Sequence, residues 1–359
     1  MAVGRVRPSV AALAAYRPGK AASQAEEEHG ITQAIKLASN ENPYGPAPSV
    51  VAAIQAAASG VNRYSDHRAV DLRAKLGEWL GVDADQVGVG CGSVGLLQQL
   101  CLTYLDPGDE VVYPWPSFEA YPINVKMMTA VPITTALVDH AFDLDAVVAA
   151  VTDRTKLVML ATPNNPTGTA VSTAELASML DNIPDDVVVL VDEAYREFSD
   201  PALGDPITAL LPSYRNVVVS RTFSKAYGLA GLRTGYVVAD AELILDLDKV
   251  LLAFASNMLA QVASLAVLDA LDEIQPVIDL LLAERGRVES ALVAMGWDLP
   301  KANANFVYIP VGERTNEVHM GLEKRGVVTR PFPGEGIRVT IGSPDENDRF
   351  LATLAEATA

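Results

Sequence analysis

The sequence has little of several features that would each indicate a class of protein. Its two cysteines, Cys91 and Cys101, give no disulfide framework, which predicts that the protein resides in a reducing cytoplasm. The four histidines are scattered without the spacing of metal ligands, so no metal site is predicted. No stretch approaches the roughly 20 apolar residues that a membrane-spanning helix needs. The apolar run from Val10 to Ala15 is too short for a signal peptide, so export is not expected.

Basic residues are outnumbered by acidic ones. The chain has 27 Lys and Arg against 45 Asp and Glu, for a net charge of -18. This charge repels polyanions, so nucleic acid and anionic membranes are not expected as partners. With 359 residues, 50% of them hydrophobic, the chain can build a large domain and a smaller one.

The order of apolar runs predicts the fold class. A helix is expected from Ser49, as its N-cap, to about residue 58. From Asp83 onward, short apolar runs alternate with helical stretches, which is typical of βαβ units and a mostly parallel sheet. The runs are 87–89, 110–113, 156–160, 187–191 and 217–219. A helical stretch from Asp272 to Ala294 then leads to the runs 306–309, 327–328 and 337–341. We predict an α/β chain with an arm at 1–40, a large doubly wound domain at 41–255 and a small α+β domain at 256–359, which the arm joins.

One lysine, Lys225, follows an apolar strand, and its neighbours in the sequence are of types that bind anions. Two hydroxyl residues, Thr222 and Ser224, precede it, and Arg233 follows. Desolvation would lower the pKa of this lysine and make its neutral amine available as a nucleophile or a Schiff-base partner. An isolated lysine is usually a surface residue. The neighbouring hydroxyls and the arginine, which would suit a phosphate, favour a functional role instead.

A glycine-rich turn at 90–95 follows a strand and opens an apolar helix. It matches the dinucleotide pattern G-x-G-x-x-G, but the next strand ends in Tyr113 and Trp115 where that fingerprint requires an acidic residue. In either interpretation, backbone N–H groups at the helix N-terminus bind phosphate. A dinucleotide-binding dehydrogenase therefore stays an alternative.

Asp192 stands at the exit of the apolar run 187–191. A carboxylate in such a place is costly to bury unless a cation meets it. The sequence therefore predicts a cationic partner for Asp192, one strand before Lys225.

Taken in order, these segments resemble the motifs of fold-type I pyridoxal-phosphate enzymes. The motifs are GCGS at 90–93, PSF at 116–118, NNPTG at 164–168, DEAY at 192–195 and SKAYGLAGLR at 224–233. The ordered set is specific, although no single member is, and it covers nearly the whole chain. TFSKAYGLAGLR is most similar to the histidinol-phosphate and aromatic aminotransferase group. The resemblance implies the fold-type I fold and pyridoxal 5′-phosphate as cofactor.

The resemblance also implies roles for individual residues. Lys225 would carry the cofactor and then move the substrate α-proton. Asp192 would keep the pyridine nitrogen protonated and the ring electron-withdrawing. The other implied cofactor contacts are Gly92, Ser93 and Val94 at the phosphate turn; Phe118 on the ring face, with Trp115 and Tyr121 as weaker candidates; Asn165 and Tyr195 at the 3′-oxygen; Thr222, Ser224 and Arg233 at the phosphate; and Tyr64 of an NRY element, reaching across a homodimer.

Two arginines are the main implied substrate contacts. Arg338 corresponds to the arginine that holds the α-carboxylate, a task suited to a bidentate guanidinium. Arg330 corresponds to a position that helps hold the substrate phosphate in histidinol-phosphate enzymes. Weaker candidates are Tyr16, Asn40 and Asn305.

The strings VGCGSV, YRPGK and TFSKAYGLAGLR are closer to the aromatic branch of the group. We therefore predict an aromatic amino acid aminotransferase that acts on phenylalanine or tyrosine and a 2-oxo acid by a ping-pong mechanism. Histidinol phosphate is the first alternative substrate, because Arg330 is present. A pyridoxal-phosphate decarboxylase and a cofactor-binding regulatory module are further alternatives. The regulatory one is disfavoured by the acidic charge and by the lack of a DNA-binding domain before residue 36.

Overall fold

The structure, a computed structural model, describes residues 4–15 and 18–358. Its N-terminal elements are α1 (Pro8–Ala11), α2 (Ala22–His29), β1 (Ile35–Lys36), α3 (Pro48–Ala57) and α4 (Val70–Leu80). The prediction that Ser49 caps α3 is wrong, since Ala47 is the N-cap residue and Pro48 lies in the first turn. Proline suits this position because its φ is already helical and its missing N–H would have had no helical partner.

Strands and helices then alternate, as predicted. These elements are β2 (Val87–Gly90), α5 (Gly92–Tyr104), β3 (Glu110–Trp115), α6 (Ala120–Met127), β4 (Val131–Val138), β5 (Ala141–Phe142), α7 (Leu144–Ala149), β6 (Thr155–Ala161), α8 (Thr173–Leu180), β7 (Val188–Asp192), α9 (Pro206–Ala209), β8 (Val217–Thr222), β9 (Gly235–Ala239) and α10 (Ala241–Lys249). Each predicted run of this region lies within one of these strands or overlaps it.

Eight strands of the described chain form one large sheet in the order β2-β9-β8-β7-β6-β3-β4-β5. The pairs from β4 through β3, β6 and β7 to β8 are parallel. The pairs that β9 forms with β8 and β2 are antiparallel, and β9 is not among the predicted runs. The mostly parallel, doubly wound arrangement is confirmed. Register places Asp192 of β7 beside Ser220 of β8, so polar groups meet at the carboxyl edge of the sheet.

Both faces of the large sheet are covered by core. In β7, Val189 and Val191 belong to one hydrophobic cluster, whereas Val188 and Leu190 belong to the other. Successive side chains of a strand point to opposite faces, which explains the division. A strand buried on both faces reads as an unbroken apolar run, and this is why these strands could be found in the sequence.

The C-terminal elements are α11 (Met258–Asp269), α12 (Leu271–Ala294), β10 (Phe306–Ile309), α13 (Thr315–Glu323), β11 (Val327–Val328), β12 (Arg330–Phe332), β13 (Gly336–Thr340) and α14 (Pro344–Thr358). β10, β13 and β12 form an antiparallel sheet, and β1 pairs in parallel with β11. The arm is thus joined to this region by main-chain hydrogen bonds. The domain bounds 1–40, 41–255 and 256–359 stay a prediction. None of the helices in the described ranges has both the length and the apolar character to cross a bilayer.

Candidate active site

A cavity of about 240 Å³ lies at the carboxyl ends of the parallel strands β6, β7 and β8. This edge of an α/β sheet is where ligands bind in open sheets of this kind. The predicted site residues that line it are Asn40, Ser93, Val94, Phe118, Asn165, Asp192, Tyr195, Thr222, Ser224, Lys225, Arg233, Arg330 and Arg338. Segments separated by most of the chain length therefore contribute to one cavity.

Lys225 is a half-buried residue of the cavity wall. Its Nζ donates to the main-chain oxygen of Ser39 at 3.2 Å. Desolvation, with a smaller contribution from the positive charge of Arg338, lowers the pKa of Lys225 from 10.5 to about 8. A substantial fraction of its amine is then neutral near pH 8, which suits a nucleophile or a proton carrier.

Asp192 is buried at the end of β7 and is held by two hydroxyl groups. Ser220 Oγ donates to Oδ1 at 2.8 Å, and Tyr121 Oη donates to Oδ2 at 3.2 Å. Burial raises the pKa of Asp192, while these two hydrogen bonds act in the opposite direction. Within the described ranges no cationic side chain forms a salt bridge with it. A buried carboxylate that lines the cavity and has no salt bridge to a described cationic side chain fits a protonated pyridine nitrogen.

The first turn of α5 approaches Arg233 very closely. Gly92 has φ +69°, and a Cβ at this position would lie 2.6 Å from Arg233 Nη2. A Cβ on Gly235 would lie 2.7 Å from the backbone nitrogen of Ser93. Glycine is therefore required at both positions. The result is a pocket in which helix N–H groups and a guanidinium face the same space, as a phosphate needs.

Two hydroxyls complete this pocket. Thr222 Oγ1 donates to Ser224 Oγ at 3.0 Å, and Arg233 Nη1 donates to the same Ser224 Oγ at 3.4 Å. Thr222 and Ser224 are buried at the end of β8, next to the lysine. The donors at this end and the carboxylate of Asp192 fit the phosphate and the ring nitrogen of pyridoxal 5′-phosphate respectively.

Asn40 connects the N-terminal loop to the far side of the cavity. Its Nδ2 donates to the Tyr195 hydroxyl oxygen at 2.9 Å, and its Oδ1 accepts from Thr340 Oγ1 at 3.0 Å. Asn305 does not line the cavity; its Nδ2 donates to the main-chain oxygen of Asn40 at 3.2 Å. Asn40 thus orients Tyr195, and Asn305 supports Asn40.

Arg338 and Arg330 lie opposite each other on β13 and β12 and both line the cavity. Arg338 Nη1 donates to Asn165 Oδ1 at 2.5 Å, and Nη2 donates to the main-chain oxygen of Ala38 at 2.6 Å. Arg330 Nη2 donates to Glu119 Oε2 at 2.5 Å. With Oδ1 accepting from Arg338, Asn165 retains its amide N–H groups as donors for a ligand oxygen.

Besides Asn305, two predicted residues that the structure describes do not line the cavity. Tyr64 is 84% exposed and stacks on Phe254 with the ring centroids 4.3 Å apart, outside the cavity of this chain. Gly92 lies behind the cavity wall rather than on it. Tyr16 lies outside the described residues.

A group of acidic and histidine side chains lies away from the cavity. Glu28, His29 and Glu323 are close enough together to hold a metal ion. The ammonium group of Lys20 already lies between them, 2.5 Å from Glu28 and 2.6 Å from Glu323. The group therefore serves as an ion-pair network between α2 and α13, and the absence of a metal site stays a prediction.

Sequence reasoning missed several partners of the predicted residues. Ser220 left a signal, because it is a polar residue directly after the apolar run 217–219 and in register with Asp192. Tyr121 was expected only as an aromatic surface, whereas its hydroxyl bonds Asp192. Ser39 contributes a main-chain oxygen, for which a sequence carries no signal.

Known proteins share both the sequence and the fold. The family model for aminotransferase class I and II matches residues 32–354. A protein named aromatic amino acid aminotransferase from Rhodococcus opacus is 48% identical over 356 residues, which cover 99% of this chain and 96% of that protein. One of the same name from Mycolicibacterium vanbaalenii is 46% identical over 347 residues, covering 97% and 96%. The crystal structure of histidinol-phosphate aminotransferase from Sinorhizobium meliloti in complex with pyridoxal-5′-phosphate has a TM-score of 0.92 at 28% identity, covering 99% of this chain and 98% of that one.

These similarities agree with the chemistry that the residues of the cavity indicate. The family match spans most of the chain, and the solved structure covers it almost completely. The fold-type I architecture and the cofactor that the motifs implied are confirmed. The chain belongs to the aminotransferase class I and II family and is a transaminase that depends on pyridoxal 5′-phosphate.

Proposed function

We propose that the protein is an aromatic amino acid aminotransferase, which transfers the amino group of phenylalanine or tyrosine to a 2-oxo acid. One observation carries the choice of substrate: the relatives with this name are 46–48% identical over nearly the whole chain. The cavity supports the reaction class, because a lysine of lowered pKa, a buried carboxylate and an arginine face one space.

We assign each side chain a task that follows from its position. When bound, pyridoxal 5′-phosphate withdraws electrons from the substrate α-carbon. Arg338 would bind the α-carboxylate, and Lys225 Nζ would take the proton from the α-carbon and deliver it to the cofactor carbon. Asp192 would hold a proton on the ring nitrogen. The 2-oxo acid product leaves before the second substrate enters, so the kinetics are ping-pong.

The remaining residues hold the cofactor in place. Asn165 and Tyr195 would donate to the 3′-oxygen, and Phe118 would contact the ring. The phosphate would be held by Gly92, Ser93 and Val94 of the helix turn and by Thr222, Ser224 and Arg233. Each of these assignments follows from the motif match and from the position of the residue at or directly behind the cavity wall.

A second candidate substrate is histidinol phosphate. Arg330 lines the cavity, and the solved structure with a TM-score of 0.92 is a histidinol-phosphate aminotransferase. The ratio of kcat/KM for phenylalanine to kcat/KM for histidinol phosphate separates the two, since it measures differential transition-state binding. We expect the ratio to exceed ten. A ratio below one tenth would reverse the choice.

We further propose a homodimer whose two sites are shared. Val61, Tyr64, Leu252 and Phe254 are exposed, and the stacked Tyr64 and Phe254 rings bring the two short segments that carry them together. Large side chains exposed together are typical of an interface. Two-fold symmetry would bring Tyr64 of each subunit to the phosphate pocket of the other.

The cytoplasm is the compartment that we propose. Cys91 and Cys101 are both free thiols, as expected under reducing conditions. Fractionation of the source cells with an antibody against the protein tests this, and recovery outside the cytoplasmic fraction would contradict it.

A further inference from the structure

Arg330 faces the cavity with its charge already matched. Its Nη2 lies 2.5 Å from Glu119 Oε2, and its Nη1 donates to the main-chain oxygen of Pro18 at 3.3 Å. The Arg330 side chain is 13% exposed and the Glu119 side chain 37% exposed. Glu119 lines the same cavity as Lys225. The carboxylate is therefore part of the site and close to where a substrate side chain would end.

The charges of the cavity explain why a carboxylate matters there. β12 and β13 place Arg330 directly opposite Arg338, so two guanidinium groups enter one small space. The α-carboxylate of an amino acid needs one of them. If the charge of Arg330 were not paired, it would attract an anionic group at the other end of the substrate. The Glu119 carboxylate pairs with Arg330 instead.

Glu119 also borders a second cavity, whose wall is more apolar. Glu119 also lines a neighbouring cavity of about 510 Å³, whose wall includes Trp115, Ile123 and Phe332. Glu119 thus lies at the boundary between the charged cavity and a mostly apolar one, whose wall also carries Lys126 and Glu335. An uncharged ring at this boundary meets apolar wall, whereas an anionic group meets the Glu119 carboxylate.

We propose that Glu119 is a specificity-determining residue. By neutralising Arg330 it makes the site favour an aromatic side chain that is uncharged over one that carries a phosphate or carboxylate group at that end. An anionic side chain must either displace Glu119 from Arg330 or lie beside a like charge, and both disfavour its binding. This inference rests on the proposed function and names the element that would exclude the alternative substrate.

The test compares two amino donors of nearly equal shape that differ by one charge. The donors are 4-carboxyphenylalanine and 4-carbamoylphenylalanine, and the readout is the ratio of their kcat/KM values. In Glu119→Gln the amide no longer neutralises Arg330, so we expect the charged-to-neutral ratio to rise at least tenfold. Activity with histidinol phosphate should rise with it. An unchanged ratio overturns the proposal.

Two variants show whether the effect comes from this pair. Glu335→Gln removes an exposed carboxylate from the wall of the neighbouring cavity and should leave the ratio unchanged. An equal rise in this control would show a general field effect and would overturn the proposal. In Glu119→Gln combined with Arg330→Gln the gain should disappear, because no cation is left to hold the anionic group. Persistence of the gain would also contradict the assignment.

Ground-state binding gives a readout that does not depend on turnover. The competitive inhibitors 3-(4-carboxyphenyl)propanoate and 3-(4-carbamoylphenyl)propanoate should show the same shift in their inhibition constants. If Glu119→Gln fails to fold, Arg330→Gln tests the proposal from the other side. Glu119 then lacks its cation, and discrimination against the charged donor should increase at least tenfold. A fall in discrimination would overturn the proposal.

The role proposed for Glu119 and the proposed function can be refuted independently of each other. A wild-type preference for histidinol phosphate over phenylalanine refutes the aromatic assignment. The effect of Glu119→Gln on the charged-to-neutral ratio is measured within one pair of donors, so it decides the role of Glu119 in either case.

Discussion

Asn40 Nδ2 donates to the hydroxyl oxygen of Tyr195 at 2.9 Å, across 155 positions of sequence. Asn40 has φ +54°, in the left-handed region, and both its backbone nitrogen and its Oδ1 bond Thr340 Oγ1. A strained asparagine fixed in this way holds the Tyr195 hydroxyl in one orientation. The N-terminal loop therefore sets the orientation of the hydroxyl group that we propose as a cofactor contact.

We expect Asn40→Ala to lower kcat/KM by about tenfold, close to the ~1.4 kcal/mol of one buried hydrogen bond. The alanine removes the donor to Tyr195 but leaves that side chain in the cavity. Measured in a Tyr195→Phe background, the same substitution should have a clearly smaller effect, because the partner hydroxyl is already absent. Equal effects in both backgrounds would show that Asn40 acts through the fold alone.

The pH dependence of cofactor capture should report the lowered pKa of Lys225, about 8 instead of 10.5. Only the neutral amine attacks the cofactor aldehyde, so the second-order rate constant should rise with pH and level off above about 8. Stopped-flow absorbance on the apoenzyme measures it, and Lys225→Ala should show no such reaction. A profile still rising steeply at pH 10 would contradict the lowered pKa. Because the folded state binds fewer protons than the unfolded one between these two values, Lys225 also makes stability rise with pH across that window.

Asp192→Asn should retain cofactor and lose at least about 100-fold in kcat, in the range for a lost electrostatic contribution. A neutral amide cannot hold the proton on the ring nitrogen. Ser220→Ala is the matched control, since it removes one hydrogen bond to Asp192 and keeps the carboxylate, and it should cost less than about tenfold. Steady-state kinetics with cofactor content measured by absorbance checks both variants. Wild-type kinetics in Asp192→Asn would refute the role.

Tyr64→Phe should weaken cofactor retention by about fivefold, because one hydrogen bond to the phosphate is lost across the interface. Tyr214→Phe is the control, since it removes a hydroxyl that bonds Asp181 instead. Cofactor release during dialysis measures the effect.

Mixed dimers test the sharing directly. A Lys225→Ala chain combined with a Tyr64→Phe chain gives heterodimers in which one site has both residues intact and the other has neither. Heterodimers purified from such a mixture should recover wild-type cofactor retention in half of their sites. Sedimentation showing an active monomer at assay concentration would end the dimer proposal.

Much of the large sheet could be predicted because burial on both faces leaves continuous apolar runs, as in β7 and β8. Lys225 and Asp192 could be singled out because each is a charged residue directly after such a run. β9 was not predicted, although it is wholly buried. The Ser49 cap failed because two adjacent residues, Ser49 and Pro48, both suit a helix start.

The partners of the site residues could not be predicted in this way. The Arg330–Glu119 pair joins positions 211 apart, and the Asn40–Tyr195 pair joins positions 155 apart. Such contacts depend on how β12 and the N-terminal loop pack against the large sheet. Local pattern carries no information on that packing. The sequence therefore identifies candidate site residues, but it does not identify their hydrogen-bond partners.

The segment around residues 35–40 is held by strands from the other end of the chain. Leu37 accepts from the backbone of Thr340, Asn40 bonds the side chain of the same residue, and Ala38 accepts from Arg338, all across about 300 positions. During synthesis these first residues leave the ribosome long before their partners exist. They must stay accessible while the large sheet forms, and the cavity is completed only when β13 has been made. A nascent chain that ends before residue 336 has neither Arg338 nor Thr340, so residues 37–40 lack the contacts that hold Asn40 beside Tyr195.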